Sequence, residues 1–239
     1  QAVARLENGE PLPYILGHWE FFGMDFIVTP DVLIPRPETE LLVEKAIAWL
    51  HEFPERRVVA DVGTGSGAIA ISIAVHVPDI NLVASDLSSK ALGVARRNAE
   101  KFGVRERIEF FECDLLPKKS SDEVHQSKII DWNSSIDLLC ANLPYIPTRE
   151  LYDLPIYSRE PTLSLDGGED GLDQFRKLMR IAPEWLAPNG LILLEIEANQ
   201  GSDALFLAQE AFPSAYISIH KDLAGQDRLL KIALSPINT

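Results

Sequence analysis

Glycines at every second position follow an apolar run near residue 60. The stretch VVADVGTGSGAIAIS places Gly63, Gly65 and Gly67 between a predicted strand and a predicted helix. Glycine adopts positive φ and lets the backbone approach a ligand, while a helix N-terminus presents free N–H groups at the positive end of its dipole. The loop therefore has the properties of a ligand site, with a plain tight strand-to-helix turn as the alternative.

Two acidic residues accompany this loop. Asp61 lies two positions before Gly63, and Asp86 ends the next predicted strand, nineteen positions after Gly67. A carboxylate at the end of that second strand can accept hydrogen bonds from both hydroxyls of a ribose. The glycines and the strand-end acids together favour a nucleoside cofactor over a simple turn.

The spacing of the glycines indicates which cofactor this is. The pattern is G-x-G-x-G, whereas dinucleotide-binding loops have G-x-G-x-x-G, and no Arg or Lys that could bind a pyrophosphate lies nearby. Asp61 could hold a cationic amino group through a bridging contact. The sequence therefore predicts S-adenosylmethionine, with S-adenosylhomocysteine as the product, rather than NAD.

Asp114 and Leu115 end the third predicted strand, where we expect the adenine to lie. The carboxylate can accept from the adenine amino group, and Leu115 can cover the ring or offer its backbone N–H. A loop-capping aspartate is the alternative for Asp114. The cofactor-binding residues that this pattern predicts are Asp61, Gly63, Gly65, Gly67, Asp86, Asp114 and Leu115.

A fourth apolar run, LLCA, ends in Asn142-Leu143-Pro144-Tyr145. An amide nitrogen is a poor nucleophile because its lone pair is delocalised into the carbonyl. The side-chain oxygen of Asn142 and the carbonyl of Leu143 could accept both N–H bonds of a substrate amide, so that the lone pair points at a sulfonium methyl. Pro144 biases the preceding backbone toward an extended conformation, and Tyr145 offers an aromatic wall and a face for a cation.

This turn therefore contains the predicted catalytic residues Asn142 and Tyr145, and all four of its residues are predicted to bind the substrate. The chemistry needs no general base, because an N-methylated amide is cationic and loses its proton readily. Most of the rate enhancement would come from positioning. An Asx turn followed by a proline-locked loop is the alternative interpretation.

The elements that must position these residues alternate along the chain. Strands are predicted at 56–62, 81–86, 107–114, 136–142, 190–197, 214–220 and 228–234, and helices within 37–53 and at 67–77, 88–103, 171–186 and 199–211. This order predicts an α/β fold with a doubly wound, mostly parallel sheet. Only HKDLAGQD separates the last two strands, so they should pair as a terminal antiparallel hairpin. Residues 117–135 are polar and are interpreted as a surface excursion of a loop.

Composition limits the kinds of partner that the protein can bind and the cellular compartment that suits it. The net charge of −14 makes stable binding to nucleic acid improbable, and no run is apolar enough for a membrane helix. Cys113 and Cys140 are interpreted as reduced core residues of a cytoplasmic protein, and the scattered histidines predict no metal site.

Several blocks of the chain resemble the HemK/PrmC family. They are GEPLPYILGHWEFFGMDFIVTPDVLIPRPETELLVE (9–44), DVGTGSGAIAIS, ANLPYIP, REPTLSLDGGEDGLDQFR (159–176), LLEIEANQG (193–201) and AGQDRLL (224–230). The block ANLPYIP resembles the Asn-Pro-Pro-Tyr turn of the family, which DNA adenine methyltransferases share. The combination of RPETE with GGEDGLD is much more specific to the family.

The resemblance implies a class I methyltransferase with a seven-stranded sheet. Its activity would be the transfer of a methyl group to the N5 nitrogen of the glutamine in the Gly-Gly-Gln motif of peptide chain release factors. By position, it implies that Gly63 to Gly67, with Thr64 and Ser66 between the glycines, contact the cofactor together with Asp86, Leu115 and Asn142. It also implies that Phe21 or Phe22 lines the substrate pocket, with core packing as the alternative. Residues 1–37 would be a linker and short extended segment left from a missing N-terminal helical domain, and residues 38–239 the catalytic domain.

Two residues depart from the family pattern: Leu143 replaces the first proline of the turn, and Glu197 stands where glycine is common. We expect the leucine to keep the carbonyl acceptor and the activity. Two other functions stay open. An N6-adenine DNA methyltransferase would need a basic cleft, and a non-catalytic cofactor-binding protein would bind S-adenosylmethionine without transferring its methyl group.

Overall fold

The computed structural model describes residues 2–117 and 135–234. The strands are β1 (His18–Phe21), β2 (Met24–Ile27), β3 (Val58–Val62), β4 (Asn81–Asp86), β5 (Ile108–Glu112), β6 (Ile136–Ala141), β7 (Leu186–Glu195), β8 (Tyr216–Lys221) and β9 (Asp227–Ala233). The α-helices are α1 (Ala2–Glu7), α2 (Leu12–Leu16), α3 (Glu40–Glu52), α4 (Ala68–His76), α5 (Ser89–Lys101), α6 (Thr148–Leu151), α7 (Asp173–Trp185) and α8 (Gly201–Ala211).

Within the described residues, strands β3 to β9 form one seven-stranded sheet in the order β5-β4-β3-β6-β7-β9-β8. The pairs from β5 to β7 are parallel, and β9 is antiparallel to both β7 and β8. This arrangement confirms the predicted doubly wound sheet with its terminal hairpin. The chain moves outward from β3 in one direction and returns to β6 on the other side, so the carboxyl ends of β3 and β6 form the topological switch point.

Helices cover both faces of the sheet, which is why its central strands are apolar on both sides. On one face, Phe175 of α7 and Ala204 of α8 pack into the core. On the other face, Leu42 of α3, Ile71 of α4 and Ala99 of α5 do the same. The register sets Asp61 of β3 beside Cys140 of β6, so the loops after these two strands emerge side by side.

Most predicted boundaries agree with the structure to within two residues. The predicted cap of α5 is confirmed, because the Ser88 side chain accepts from Ala91 N, and Gly103 follows the helix with a φ of +69°. The main difference is β7, which begins at Leu186 rather than at 190. The sequence PNG suggests a turn there, but the strand continues through Asn189 at a φ of +64°, near a register shift between β6 and β7.

The N-terminal segment contains more structure than the linker and short extended segment that the sequence predicted. Strands β1 and β2 form a hairpin, and helices α1 and α2 precede it. Phe21 and Phe26 are buried in the same core as α3 and α4. The proposed division of the chain near residue 37 stays a prediction.

Two further expectations concern the surface and the membrane. A surface excursion of a loop was predicted at 117–135. Residues 118–134 of this stretch lie outside the described part of the chain. In the described part of the chain, no helix combines the length and the apolar character that a membrane span requires.

Candidate active site

A cleft of about 670 Å³ opens at the switch point of the sheet. Its volume lies within the range of about 300–1,000 Å³ that is typical of small-molecule sites. The sequence-predicted residues that line it are Gly63, Gly65, Asp86, Asp114, Leu115, Asn142, Leu143 and Pro144. Residues from four different strand ends therefore meet in one cavity, because the carboxyl ends of parallel strands share one edge of the sheet.

The glycine loop owes its shape to positive φ angles, which are +74° at Gly63, +55° at Gly65 and +83° at Gly67. A β-carbon on Gly65 would meet no atom within 4 Å, so this residue borders open space in the cleft. A β-carbon on Gly67 would lie 2.7 Å from Ile71 Cδ1, which shows that this glycine lets α4 pack closely. The first part of the loop therefore faces the cleft, and its last glycine allows the close packing of α4.

Asp61 supports this loop from behind. Its Oδ2 accepts from Thr64 Oγ1 at 2.6 Å and from Ala70 N at 3.0 Å, and the residue is fully buried. Burial raises the pKa of Asp61 to about 7, against the two hydrogen bonds. Its Oδ1 has no hydrogen-bond partner within the described residues, and Asp61 does not line the cleft. A bridged contact with a cofactor amino group stays a prediction.

Thr64 and Ser66 were predicted to contact the cofactor, but neither they nor Gly67 border the cleft. Thr64 is committed to Asp61, and its backbone N–H donates to Ser85 O at 2.9 Å. Ser66 is buried, and its carbonyl accepts from Asn98 Nδ2 at 2.9 Å. These contacts help to hold the loop in place, and cofactor binding by the three residues stays a prediction.

Asp86 presents its carboxylate to the cleft in a fixed orientation. One oxygen accepts from Gly65 N at 2.9 Å and the other from Ser88 N at 2.8 Å. Burial raises the pKa of Asp86, while these backbone N–H groups oppose the shift. Each carboxylate oxygen has a further lone pair to offer, which is what two ribose hydroxyls require.

Asp114 and Leu115 border the same cleft on its third side. The Asp114 carboxylate is half-exposed and lies 3.7 Å from Lys177 Nζ on α7. Leu115 has a φ of +64°, and its carbonyl accepts from the Ser85 hydroxyl. Left-handed backbone at a leucine is strained, and such strain is concentrated at ligand sites.

The turn after β6 brings Asn142 to the cleft with one end of its amide already engaged. Asn142 Nδ2 donates to Thr39 Oγ1 at 3.0 Å, so Oδ1 is the end of the amide that remains for a ligand. Leu143 is nearly buried, and its Cδ2 would lie 3.3 Å from a β-carbon on Gly63. The close fit between the two loops fixes Asn142 beside the glycine loop.

Tyr145 does not line the cleft, and its role as an aromatic wall for the substrate stays a prediction. Burial raises the pKa of the Tyr145 hydroxyl, and the neighbouring carboxylate of Glu195 raises it further. The Tyr145 carbonyl accepts from Gln200 Nε2 at 3.0 Å. These contacts hold the residue in a second, small cavity that it shares with Glu195, beside the cleft.

The GGEDG motif, whose purpose the sequence did not reveal, forms a cradle around this turn. A β-carbon on Gly167 would lie 2.8 Å from Tyr145 Cα, and one on Gly171 would lie 2.2 Å from Tyr145 O. Ile146 O also accepts from Gly167 N at 2.8 Å. Any side chain at these glycines would displace the turn.

The unexplained Glu197 has a local function. Its side chain accepts from Asn199 N at 2.7 Å, and its own N–H donates to Gln200 Oε1 at 3.2 Å, which is a capping box. The backbone of Glu197 is extended, with a φ of −73°, so this position does not need glycine. Because Gln200 also binds Tyr145 O, the cap contributes to the geometry of the turn.

Phe21 and Phe22 are not in the cleft. Phe21 is 1% exposed and packs edge-on against Phe26, so the alternative of core packing describes it. The ring of Phe22 packs against His76, 5.2 Å away at the C-terminal end of α4. That helix begins at the glycine loop and carries His76 away from the cleft, which explains why this prediction finds no support in the geometry.

Two residues of the site were missed by sequence reasoning, namely Thr39 and Glu195. Thr39 Oγ1 donates to Glu195 Oε2 at 2.6 Å, and both side chains are buried. A carboxylate in the otherwise apolar strand LILLE was a signal, because a charged residue is almost never buried without a partner.

In the described ranges no group of acidic, His or Cys residues could hold a metal ion.

A family match and a solved structure both point to a methyltransferase fold. Residues 38–130 match the family described as Methyltransferase small domain. A methyltransferase from Pyrococcus furiosus has the same fold, with a TM-score of 0.58 and 18% identity, over 98% of each chain. Sheet order, glycine loop and strand-end acids define the class of this protein, a class I S-adenosylmethionine-dependent methyltransferase.

Sequence relatives narrow the class to a family. Release factor glutamine methyltransferase from Moorella thermoacetica is 42% identical over 229 residues, which are 95% of this chain and 76% of the relative. The protein of the same name from Geobacter sulfurreducens is 40% identical over 231 residues, with 95% and 75% covered. A solved release-factor-specific protein-(glutamine-N5) methyltransferase from Alicyclobacillus acidocaldarius is 30% identical, with a TM-score of 0.51, covering 88% of this chain and 100% of that one. The chain belongs to the release factor glutamine methyltransferase family.

Proposed function

We propose that this protein transfers the methyl group of S-adenosylmethionine to the side-chain amide nitrogen (N5) of the glutamine in the Gly-Gly-Gln motif of peptide chain release factors. The observation that carries the proposal is the state of the Asn142 amide at the cleft. Its Nδ2 donates to Thr39, so its Oδ1 is the end of the amide that can accept from an incoming N–H.

The donor set of the cleft fits the cofactor. Asp86 offers both oxygens toward ribose hydroxyls, and Gly65 leaves room for a ligand beside the backbone. When bound, S-adenosylmethionine supplies a methyl group on a positively charged sulfur. Asp114 and Leu115 would border the adenine, as their position at the end of β5 implies.

The substrate amide would be held by two acceptors, Asn142 Oδ1 and the carbonyl of Leu143. With both N–H bonds engaged, the nitrogen lone pair turns out of conjugation and toward the methyl group. The methylated amide is cationic and loses a proton readily, so this chain needs no general base. Rate enhancement then rests on positioning, which the glycine cradle and the capping box support.

Release factors are the partners proposed here, in the cytoplasm, without stable binding to nucleic acid. Two relatives named for release factor glutamine methylation support the substrate. The net charge of −14 disfavours a DNA duplex. Cys140 is a buried thiol, which suits a reducing compartment.

The test is incubation with S-adenosylmethionine and a purified release factor, followed by mass spectrometry of the peptide that contains Gly-Gly-Gln. We expect one added methyl group on the glutamine, and its loss in Asn142→Ala. Asn81→Ala is the matched control, because Asn81 is exposed at the opposite end of β4. A parallel arm with DNA at low salt examines the adenine alternative. Methylated DNA with an unmodified release factor, or an Asn142→Ala variant as active as wild type, would contradict the proposal.

A further inference from the structure

Three side chains from distant parts of the chain form one hydrogen-bonded series behind the cleft. Asn142 Nδ2 donates to Thr39 Oγ1 at 3.0 Å, and Thr39 Oγ1 donates to Glu195 Oε2 at 2.6 Å. Asn142 follows β6, Thr39 ends the short 3-10 turn before α3, and Glu195 ends β7. Thr39 is 4% exposed and Glu195 is 5% exposed, so water does not compete for these bonds.

The series has only one direction when Glu195 is ionised. A carboxylate accepts hydrogen bonds and cannot donate them, so the single hydroxyl proton of Thr39 is committed to Glu195. The Thr39 oxygen can then only accept from Asn142. Because only the NH2 end of an asparagine amide donates, Nδ2 must face Thr39 and Oδ1 must face the other way.

We propose that Thr39 and Glu195 are positioning residues that determine which end of the Asn142 amide faces the substrate. This inference rests on the proposed function, in which Asn142 Oδ1 accepts an N–H bond of the substrate glutamine. If the Asn142 amide turned over, its NH2 group would face the NH2 group of the substrate. Two donors cannot bond, and the substrate lone pair would lose one of its two restraints.

The surroundings of Glu195 make this control sensitive to protonation. Burial raises the pKa of Glu195 to about 7, while the Thr39 hydroxyl, the positive charge of Arg228 and the Tyr145 hydroxyl lower it and the negative charge of Glu38 raises it. A protonated carboxyl can donate as well as accept, which frees the Thr39 hydroxyl to donate to Asn142. The direction of the series is then no longer fixed.

Kinetics of variants provide the first test. Thr39→Val keeps the shape of the side chain but removes the hydroxyl, and we expect kcat to fall about 10- to 100-fold. Binding of S-adenosylhomocysteine and the KM for the release factor should not change. Thr39→Ser restores the hydroxyl and should restore kcat. The control is Ser72→Ala, because the buried Ser72 hydroxyl has no hydrogen-bond partner among the residues that the structure describes. Full kcat in Thr39→Val, or no recovery in Thr39→Ser, would overturn the proposal.

A second readout does not depend on activity. Side-chain amide signals of 15N-asparagine-labelled protein can be assigned to Asn142 by their loss in Asn142→Asp. We expect these signals to titrate with an apparent pKa near 7 in the wild type, to stop titrating in Glu195→Gln, and to shift in Thr39→Val. Signals that are identical in wild type and Thr39→Val would refute the series. If the wild type shows the titration but methylates no release factor, the proposed function fails and the positioning series stands.

Discussion

Gly171 lies so close to Tyr145 that a β-carbon on the glycine would come within 2.2 Å of the tyrosine carbonyl oxygen. The same β-carbon would lie 2.5 Å from Gln200 Nε2, the atom that donates to that carbonyl. The φ of Gly171 is +80°, which an L side chain adopts only with strain. The turn that carries Asn142 thus depends on the absence of a side chain almost thirty residues later in the sequence.

We therefore expect Gly171→Ala to lower both the free energy of unfolding and kcat. Overpacking and left-handed backbone together should cost about 2–4 kcal/mol. Denaturant unfolding and single-turnover methylation measure the two effects. Gly93→Ala is the control, because a β-carbon there meets nothing within 4 Å and the residue lies inside α5. Equal stability of the two variants would contradict the cradle.

Asp86→Asn should weaken cofactor binding without unfolding the protein. Both oxygens of Asp86 accept backbone N–H groups, so an amide nitrogen at either place would face a donor. We expect the Kd for S-adenosylhomocysteine to rise about tenfold or more, as calorimetry can measure. Asp79→Asn, at an exposed aspartate that pairs with Arg57, should leave the Kd unchanged. An unaltered Kd in Asp86→Asn would remove Asp86 from the cofactor site.

Asp61 should make the protein less stable as the pH rises. Its pKa is about 7 in the folded state, above an ordinary value near 4, so the folded state retains the proton longer. The stabilisation is complete below about pH 4 and is lost toward pH 7, with a slope of at most about 1.4 kcal/mol per pH unit.

The variant Asp61→Asn removes this dependence. The free energy of unfolding of Asp61→Asn minus that of wild type should be larger at pH 8 than at pH 5. Urea denaturation at the two pH values measures this difference. Asp79→Asn is the control with the opposite sign, because the Arg57 side chain lowers the pKa of Asp79. Its effect is present above an ordinary aspartate pKa and is the same at pH 5 and pH 8. A constant difference between Asp61→Asn and wild type would show that Asp61 is not buried as described.

The sequence predicted the sheet well because each strand and helix carries its own local pattern. Ser88, Gly103 and the apolar runs act over a few residues, and their effects survive in the fold. The sequence also identified the strand-end residues of the cleft, because the carboxyl ends of parallel strands meet by topology. Local pattern and topology together were sufficient to predict that Asp86 and Asn142 lie at the same cleft.

Contacts between distant residues were beyond this kind of inference. Asn142 meets Thr39 across 103 positions, and Thr39 meets Glu195 across 156. Neither spacing leaves a periodic trace in the sequence. The ring direction of Phe22 likewise depends on the hairpin turn, where its φ is +53°. Its predicted place in the substrate pocket stays a prediction. The sequence gives the residue types at a site, but side-chain direction comes from packing.

Leu143, which replaces a proline of the family pattern, should be no handicap to catalysis. The leucine keeps the carbonyl acceptor, and its nearly buried side chain packs against Gly63 and shares the small cavity with Leu172 and Phe175. Leu143→Ala should lower the free energy of unfolding by about 2–3 kcal/mol through the loss of this packing. Leu143→Pro would exchange the same contacts for backbone rigidity that the cradle at Gly171 already supplies. We expect Leu143→Pro to be less stable than wild type and its kcat not to increase. A much higher rate of methyl transfer in single-turnover assays would show that rigidity of the turn limits this enzyme.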